Sequence, residues 1–487
     1  MDKFHDCIKR LFGRIRIAPD KPLPKPLPNP MAWIWCRFFH ASYERSHRLR
    51  FEKAVVETKR NYAIQIDRIR SKVKAGQKVR VMFIVKEPAK WKADSLFEEM
   101  LHSGRYEPVI GLTHPSVIYG ISPGATAKKM EDAKEWFASK KYDCRIIYNA
   151  WKDRFVDLRR FCPDMVFYPE VWYDADKHSP AAVSRFALTC YIPYFVPNYV
   201  NVNLDCQQDM HRLYWRHIVF NDELAKVYAD ATKDRLMAGE FVGLGHTMFD
   251  EIVRSLNSPA ESQYAQCVIY APHWTFDHPG NQCPVHYSTF TQNGRMILEY
   301  AKQHPEMKWV FKPHPSLRDR LESSGFMTKE AVDEYYSEWE RIGEVCLSGD
   351  YERLFADSYA MITDCGSFLS EYGATRHPIV HLISSKNTET PPETIKRLYD
   401  TYYQAHDVDE LRSWLVKLLE QKEDPKKEER LNALKELGFC GQNSAENIMK
   451  YLCRSFGGEK DMQRFRALPN ESSGSGKGWS GEGGEKC

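Results

Sequence analysis

The sequence predicts an α/β protein with two Rossmann-like domains that face a cleft. Short apolar, β-branched segments recur along the 487-residue chain, helical segments lie between them, and the alternation occurs in two series of similar length. The hydrophobic fraction of 43% and the charged fraction of 28% are typical of a globular chain. We expect an N-terminal arm and helix over 1–75, Rossmann-like domains over 76–257 and 258–457, and a disordered Gly/Ser-rich tail over 458–487.

The arm combines a basic amphipathic segment over 1–16 with a proline-rich spacer, Lys21–Pro30. The apolar, aromatic run Ala32–His40 is too short to span a bilayer, and no secretory signal is evident. Two interpretations stay open for this arm. It rests on an anionic membrane surface, or it packs on its own domain.

Charge and cysteine usage restrict the class of protein. A net charge of +3 over 487 residues does not indicate a nucleic-acid binder. The 13 cysteines include no C-x-x-C pair, which is typical of reduced thiols in a cytosolic protein. We therefore expect a cytoplasmic location, with peripheral attachment to the inner face of the cell membrane if the arm binds lipid.

A helix is expected over about 43–74, and the first series of strands follows it. The predicted strands are Lys78–Val85, Glu107–Leu112, Cys144–Tyr148, Asp164–Glu170, Cys190–Phe195 and His217–Asp222. Predicted helices between them include Ser95–Gly104 and Lys128–Lys141.

The second series begins near residue 258. Its predicted strands are Cys267–His273, Lys308–His314, Glu344–Leu347, Tyr359–Asp364 and Ile379–Ile383. Helices are expected at Gly294–Pro305 and Ser367–Thr375, and three more near 407–420, 424–437 and 443–456 close the fold. Such alternation predicts βαβ units and mainly parallel sheets.

Ligands of open α/β sheets bind beyond the carboxyl ends of the strands, so the residues that follow each strand matter most. The fourth strand of the second series runs into Asp364, Cys365, Gly366 and Ser367. Glycine permits close approach of a ligand, and Ser367 is expected to cap a helix whose start attracts phosphate. An ordinary helix cap is the alternative interpretation.

The segment FKPHP places Lys312 and His314 after the second strand of this series. Pro313 and Pro315 restrict the backbone and therefore the direction of the imidazole. A restrained histidine beside a lysine suits an anionic ligand. The two motifs stand about fifty residues apart, and each follows an apolar strand of the same series.

The loop after the first strand of this series contains His273, Asp277, His278 and, further on, His286. Their spacing matches no zinc pattern and has no cysteine support, so we expect no metal and no cofactor. Histidines that line an anion pocket, or that act as acid or base, are the preferred interpretation.

Three motifs in this order resemble the CDP-glycerol glycerophosphotransferase family, the polymerases and primases of teichoic-acid-type chains. They are VIYAPHW (268–274), FKPHP (311–315) and the segment Tyr351–Leu382, within a resemblance that extends from Cys267 to about Ser455. The resemblance implies a GT-B fold whose C-terminal domain binds a nucleotide diphosphate. His314 would contact the diphosphate, Ser367 and its helix start would hold phosphate, and Lys312, Asp364 and Gly366 complete the donor-binding set. It also implies that no tightly bound metal is needed.

Two departures from the family pattern concern the chemistry. The turn Asp364–Ser367 has one hydroxyl fewer than is usual in the family, and the chain contains no Trp-His-Gly motif, which supplies the family's presumed base. The base therefore cannot be carried over. Candidates near the cleft are Glu170 and His178 in the first domain and His273 in the second.

The leading hypothesis is a transferase that moves glycerol phosphate, or a related polyol phosphate, from a CDP-linked donor to a membrane-linked cell-surface polysaccharide precursor. Its partners would be the donor, a lipid-linked glycan acceptor and an anionic membrane surface, with no nucleic acid. One alternative is a GT-B glycosyltransferase, or an epimerase-like protein, that uses a nucleotide sugar in capsule or lipopolysaccharide synthesis. Another is a non-catalytic binding protein on the same fold.

Overall fold

The architecture is that of a computed structural model. It describes residues 30–114, 122–171, 176–195, 208–258, 263–281, 283, 285–347, 351–387, 390–391, 393–439 and 443–457. The basic segment 1–16, the spacer up to residue 29 and the predicted disordered tail lie outside these residues. None of the helices described there is both long enough and apolar enough to cross a membrane.

The first half of the described chain builds a parallel sheet. Its elements in chain order are α1 (Pro30–Lys74), β1 (Val79–Val85), α2 (Asp94–Ser103), β2 (Tyr106–Leu112), α3 (Pro123–Ser139), β3 (Cys144–Ile146), β4 (Tyr148–Asn149), β5 (Arg154–Phe155), β6 (Met165–Tyr168), α4 (Pro180–Val183), β7 (Leu188–Tyr191), β8 (Arg216–Val219), α5 (Asp222–Thr232), β9 (Glu240–Gly243) and α6 (Thr247–Leu256). The strand order is β3-β2-β1-β6-β7-β8-β9, and β4 and β5 form a separate hairpin.

The second half builds a parallel sheet of the order β12-β11-β10-β13-β14-β15. Its elements are β10 (Val268–Ala271), α7 (Phe290–Gln303), β11 (Trp309–Phe311), α8 (Leu317–Ser323), α9 (Lys329–Ile342), β12 (Glu344–Val345), α10 (Glu352–Asp357), β13 (Ala360–Thr363), α11 (Gly366–Gly373), β14 (Ile379–Leu382), α12 (Glu393–Tyr399), β15 (Tyr403–Ala405), α13 (Val408–Leu415), a π-helical turn (Val416–Glu420), α14 (Lys427–Glu436) and α15 (Ser444–Phe456). The predicted α/β class with two parallel sheets is confirmed.

The central strands are apolar without alternation because helices cover both faces of each sheet. In β1 the five residues from Val81 to Val85 are all at most 2% exposed, and β10, β13 and β14 are buried along their whole length. Burial of each large apolar side chain contributes about 1.5–3 kcal/mol relative to exposure. These continuous runs are why the sequence predicted the central strands correctly.

The edge strands β9 and β15 were not predicted. The residues of β9 are exposed or half-buried, and β15 has three residues with a glutamine at its centre, so neither strand presents a continuous apolar run. The strand predicted at Cys190–Phe195 lies earlier, at Leu188–Tyr191, and Pro193, which has no amide hydrogen to donate, follows it.

The helix α1 is longer than predicted and begins at Pro30. From Thr58 onward it lies against the first sheet, where the Tyr62 hydroxyl contacts Thr189 Oγ1 and donates to the Leu213 carbonyl. Gln65 Nε2 donates to the Arg185 carbonyl at 3.2 Å.

The domain boundaries at 76–257 and 258–457 stay predictions. The last helix, α15, falls in the second range but packs on α2 and α6 of the first. The Asp250 carboxylate on α6 accepts the backbone N–H groups of Ser444 and Ala445, both at 2.8 Å, and so stabilises the start of α15. Burial raises the pKa of Asp250, and these hydrogen bonds oppose the rise. The last described helix therefore packs back on the first half of the chain.

Candidate functional site

The carboxyl edge of the second sheet brings three predicted loops together. Strand β10 lies between β11 and β13, all parallel, so the segments after them leave the sheet on the same side. From β10 the chain adds β11 and then β12 on one side of β10. It then crosses back to β13, which lies on the other side of β10. A crevice at such a change of direction is where ligands of doubly wound sheets bind.

Asp364 organises this edge from the end of β13. Its carboxylate accepts the His273 backbone N–H at 2.6 Å, the Thr289 backbone N–H at 2.7 Å, the Thr289 hydroxyl at 3.1 Å and the Ser288 hydroxyl at 3.2 Å. Burial raises its pKa to about 6, and the hydrogen bonds oppose the rise. The predicted contact of Asp364 with donor phosphate stays untested, and its carboxylate is occupied in holding the loop that follows β10.

His314 is held by backbone contacts on both sides. Its N–H donates to the Pro272 carbonyl at 3.0 Å, and its Nδ1 accepts the Ser316 N–H at 3.1 Å. The ring is half-buried, and its centroid lies 4.8 Å from that of His273. The His273 Nδ1 in turn lies 2.8 Å from the Thr275 hydroxyl. The structure therefore brings the predicted residues His273, His314 and Asp364 together.

Both histidines are neutral near pH 7 in the free protein. Burial lowers the pKa of His273 to about 3. Burial also lowers the pKa of His314 well below its usual range, and repulsion with His273, Lys312 and Lys90 as the imidazole becomes protonated adds to this effect. A neutral His314 would offer an anionic ligand hydrogen bonds rather than a charge.

Lys312 is turned into the domain. It is 4% exposed, and its Nζ lies 4.5 Å from the centroid of the Tyr351 ring and 5.9 Å from that of Phe368. Burial lowers its pKa, and this is only partly offset by the nearby Cys346 and acidic groups. Its predicted contact with phosphate stays untested, and its ammonium is not at the surface that His314 reaches.

The predicted phosphate turn begins α11 one residue earlier than expected. Cys365 occupies the N-cap position and makes no side-chain capping bond, so the prediction that Ser367 caps the helix is wrong. Gly366 is the first helical residue, and Ser367 follows it, half-buried, with its hydroxyl 3.4 Å from Cys365 Sγ. The turn keeps the positive end of the helix dipole beside Asp364.

The carboxyl edge of the first sheet carries a compact charge cluster. Strands β1 and β6 are neighbours, and their connections also run in opposite directions. The Glu170 side chain, 1% exposed, pairs with Lys86 and, at 3.0 Å, with Lys90. Burial alone would lower the pKa of Lys90, but Glu170 and other neighbours outweigh it and raise that pKa. The cluster combines two ammonium groups with one carboxylate.

The two edges are close enough to interact electrostatically. Burial, His273 and Lys312 lower the pKa of His314 most, and the ammonium of Lys90 lowers it further. Lys90 belongs to the segment after β1, and His314 to the segment after β11. Lys90 and His314 are therefore within electrostatic range of one another.

His178 is not brought into this group. It is fully buried, its Nε2 lies 2.7 Å from the Val156 carbonyl, and its ring packs on that of Phe155 at 5.1 Å. Burial lowers its pKa, and the hydrogen bond to Val156 opposes this. These contacts are with the segment that contains the β4–β5 hairpin, so a role for His178 as catalytic base, which stays untested, would need the ring to become accessible.

A buried polar network, which the sequence analysis missed, joins the two halves next to this site. Lys92, whose side chain is 3% exposed, pairs with Glu352 at 3.1 Å, and its Nζ lies 4.0 Å from the centroid of the Tyr351 ring. The Tyr351 hydroxyl donates to Glu371, which is 2% exposed on α11. Burial raises the pKa of Glu371 to about 7, and Lys92 and the Tyr351 hydrogen bond oppose the rise.

The missed lysines had one usable signal. Lys86, Lys90 and Lys92 all follow β1 within seven residues, at the same type of strand end that was searched in the second domain. Their buried or half-buried partners Glu170 and Glu352 are 80 or more residues away in the chain, so these pairings could not be predicted. Among the described residues, no group of three or more His, Cys, Asp or Glu side chains is arranged to hold a metal ion.

Comparison with known proteins reveals likeness in structure only. No family model matches the chain, and no curated protein matches its sequence. UDP-GlcNAc 2-epimerase from Neisseria meningitidis, solved with bound UDP-GlcNAc, is 14% identical, with coverage of 78% of this chain and 100% of that chain and a TM-score of 0.50. Another UDP-N-acetylglucosamine 2-epimerase is 13% identical, with coverage of 82% and 100% and a TM-score of 0.49. The wall teichoic acid polymerase TagF is 12% identical, with coverage of 86% and 99% and a TM-score of 0.43.

The likeness to the Neisseria enzyme extends over both halves of this chain. The structural match establishes a common fold, the two-domain GT-B arrangement of parallel sheets, and at 14% identity the chemistry has to be argued from the site.

Proposed function

We propose that this protein is a transferase that binds a nucleotide-diphosphate donor at the carboxyl edge of the second sheet. The donor that the motifs favour is CDP-glycerol or a related CDP-linked polyol phosphate. The acceptor is a hydroxyl group of a membrane-linked cell-surface polysaccharide precursor. The observation that carries the proposal is the grouping of His273, His314 and Asp364 beyond the carboxyl ends of β10, β11 and β13.

The reaction requires groups that bind a diphosphate and a base that activates a hydroxyl. The N-terminal turn of α11 and the neutral His314 would donate hydrogen bonds to phosphate oxygens, and Lys90 and Lys86 would balance the negative charge. The acceptor oxygen attacks the β-phosphorus, the bond from that phosphorus to the bridging oxygen breaks, and CMP leaves. The acceptor proton passes to a base.

Glu170 is the base that we propose. It is a carboxylate at the change of direction in the first sheet, beside the lysine that influences His314. His273 is the second candidate, but a pKa of about 3 makes it a weak proton acceptor near pH 7. His178 ranks last because its Nε2 contacts the Val156 carbonyl and its ring packs on Phe155, in the segment that contains the β4–β5 hairpin.

A thermal-shift screen with CDP, UDP, GDP and their conjugates tests donor binding. A ligand at 100 times its dissociation constant stabilises the native state by about 2.7 kcal/mol, so a true donor should raise the melting temperature clearly. Conjugates that stabilise the protein are then tested for turnover with CDP-glycerol, CDP-ribitol and UDP-sugars. If no nucleotide at millimolar concentration shifts the melting temperature, the proposal is wrong.

A nucleotide-sugar glycosyltransferase or epimerase-like activity is the second candidate. The observation in its favour is the shared fold with a UDP-GlcNAc 2-epimerase, together with the missing Trp-His-Gly motif. Turnover of a UDP-sugar without turnover of CDP-glycerol would decide for it.

A non-catalytic binding protein is distinguished by single substitutions at Glu170, His178, His273 and His314. An enzyme should lose turnover at one or more of these positions while it remains folded. A binding protein would show no turnover in the wild type with any donor that binds.

The N-terminal arm supplies a test of the membrane-linked acceptor. Deletion of residues 1–40 removes the basic amphipathic segment and the aromatic run, so sedimentation with anionic vesicles should fall. Vesicles of neutral phosphatidylcholine are the control. If the truncated protein still sediments fully with anionic vesicles, the arm does not bind the membrane.

A further inference from the structure

A cavity of about 340 Å³ lies beside the proposed donor site and has no role in the reaction described above. It opens beyond the carboxyl ends of β13, β14 and β15, away from β11 and the Lys312 side of the sheet. Its volume is within the range of small-molecule sites. The polar and aromatic residues that line it include Tyr287, His381, Ser384, Asn387, Tyr399 and Gln404.

The cavity adjoins the histidines of the candidate site. The Asp364 carboxylate contributes to its wall while it holds the backbone of His273. Tyr287 lines the cavity as well, and its ring centroid lies 5.7 Å from that of His273. A group bound in the cavity would therefore lie against Tyr287, whose ring neighbours that of His273. The His273 ring in turn neighbours that of His314.

Each ionisable group among the described residues that line the cavity already has a partner or is neutral. Asp364 accepts four hydrogen bonds, and burial lowers the pKa of His381 to about 3, so its imidazole is neutral. At the rim, Lys396 and Asp400 pair with each other. Among the described lining residues, a charged ligand would find no carboxylate or ammonium without a partner, whereas an uncharged ligand needs none.

The chemistry of the remaining groups suits hydroxyl groups on a small apolar frame. His381 and Gln404 are register partners on β14 and β15, so they face the same side of the sheet. The backbone carbonyl of Gln404 accepts the Trp414 indole N–H, and within the described part of the chain its side-chain amide makes no hydrogen bond. A primary amide can both donate and accept, and Tyr287 and Tyr399 supply aromatic surface.

We propose that this cavity binds the uncharged polyhydroxylated unit, a polyol or a sugar ring, of one substrate of the transferase. The inference deepens the proposed function and rests on it for the choice of nucleotide probes. The unit comes either from the donor, as the group to be transferred, or from the acceptor glycan. Both sources present the same chemistry to Gln404.

The test substitutes Gln404→Leu in the full-length chain, which removes the amide and keeps a side chain of similar length. Gln303→Leu, an exposed position at the end of α7, is the matched control. Dissociation constants for CDP and CDP-glycerol are measured by calorimetry. Saturation-transfer NMR with the neutral disaccharide N,N′-diacetylchitobiose probes the acceptor arm.

Loss of a neutral hydrogen bond to a ligand corresponds to about a fivefold change in affinity. If Gln404→Leu weakens CDP-glycerol about fivefold and leaves CDP unchanged, the cavity holds the polyol of the donor. If only the disaccharide signal falls, by at least half, the cavity holds the acceptor unit. The inference is overturned if Gln404→Leu binds both ligands as Gln303→Leu does. It is also overturned if CDP-glycerol binding is unaffected and the wild type binds the disaccharide no better than Gln404→Leu does. Absence of any nucleotide binding to the wild type refutes the proposed donor, and the disaccharide arm then decides the cavity independently.

Discussion

Replacement of Glu371 by glutamine should change how stability depends on pH. Glu371 is 2% exposed on α11, and burial raises its pKa from 4.5 to about 7, against the opposing effects of Lys92 and the Tyr351 hydroxyl. A carboxyl whose pKa is raised in the folded state binds its proton more tightly there than in the unfolded chain. Its contribution to stability is therefore complete below pH 4.5 and is lost as pH rises through 7.

The magnitude follows from the shift. A change of one pKa unit corresponds to 1.36 kcal/mol, so a rise from 4.5 to about 7 gives a change of about 3 kcal/mol between pH 4 and pH 8. The free energy of unfolding of the wild type minus that of Glu371→Gln should fall by this amount over that range.

Urea unfolding followed by tryptophan fluorescence at pH 4, 5, 6, 7 and 8 measures this difference. Glu322→Gln, at an exposed position on α8, is the control for the chemistry of the substitution. A difference between wild type and Glu371→Gln that stays constant within about 0.5 kcal/mol from pH 4 to pH 8 would refute the reasoning. It would mean that the carboxyl ionises equally well in the folded and unfolded states.

Three further substitutions test other parts of the molecule. His314→Gln should lower kcat/KM for the nucleotide donor by about 100-fold to 1,000-fold, as for loss of one hydrogen-bond donor to a transition-state oxyanion. The control His406→Gln, at an exposed position, should leave kcat/KM unchanged. Equal rates for the two variants would remove His314 from the site. Lys92→Met leaves Glu352 without its buried partner and should destabilise the protein by about 3–5 kcal/mol in urea unfolding, whereas Lys134→Met on the surface should not shift the midpoint. Gly239→Ala places a Cβ 1.9 Å from the Trp215 carbonyl oxygen and should cost about 1–3 kcal/mol, and Gly124→Ala, whose nearest atom lies at 3.5 Å, should be tolerated; similar melting temperatures for both would contradict the close approach at Gly239.

The segment FKPHP illustrates what could be predicted for the site and what could not. The chain places His314 three residues after the end of a fully apolar strand and between two prolines, so both its position at a sheet edge and its restricted backbone follow from local sequence. Whether the imidazole carries a charge depends on burial and on the neighbouring His273, Lys312 and Lys90, of which Lys90 comes from the segment after β1. Ser367 shows the same limit at smaller scale, because the cap lies two residues earlier, at Cys365, and Ser367 falls in the first turn.

By itself, the sequence determined the two parallel sheets and the segments that leave their carboxyl edges. Long apolar strands separated by amphipathic helices have few alternative arrangements, and the residue that follows a strand is fixed by chain connectivity. Only the tertiary structure decided which of those residues meet and in what charge state. Glu170 with Lys90, Lys92 with Glu352, and Asp364 with His273 are each joined across 80 residues or more, and burial, which sets their electrostatics, exists only once the chain has folded.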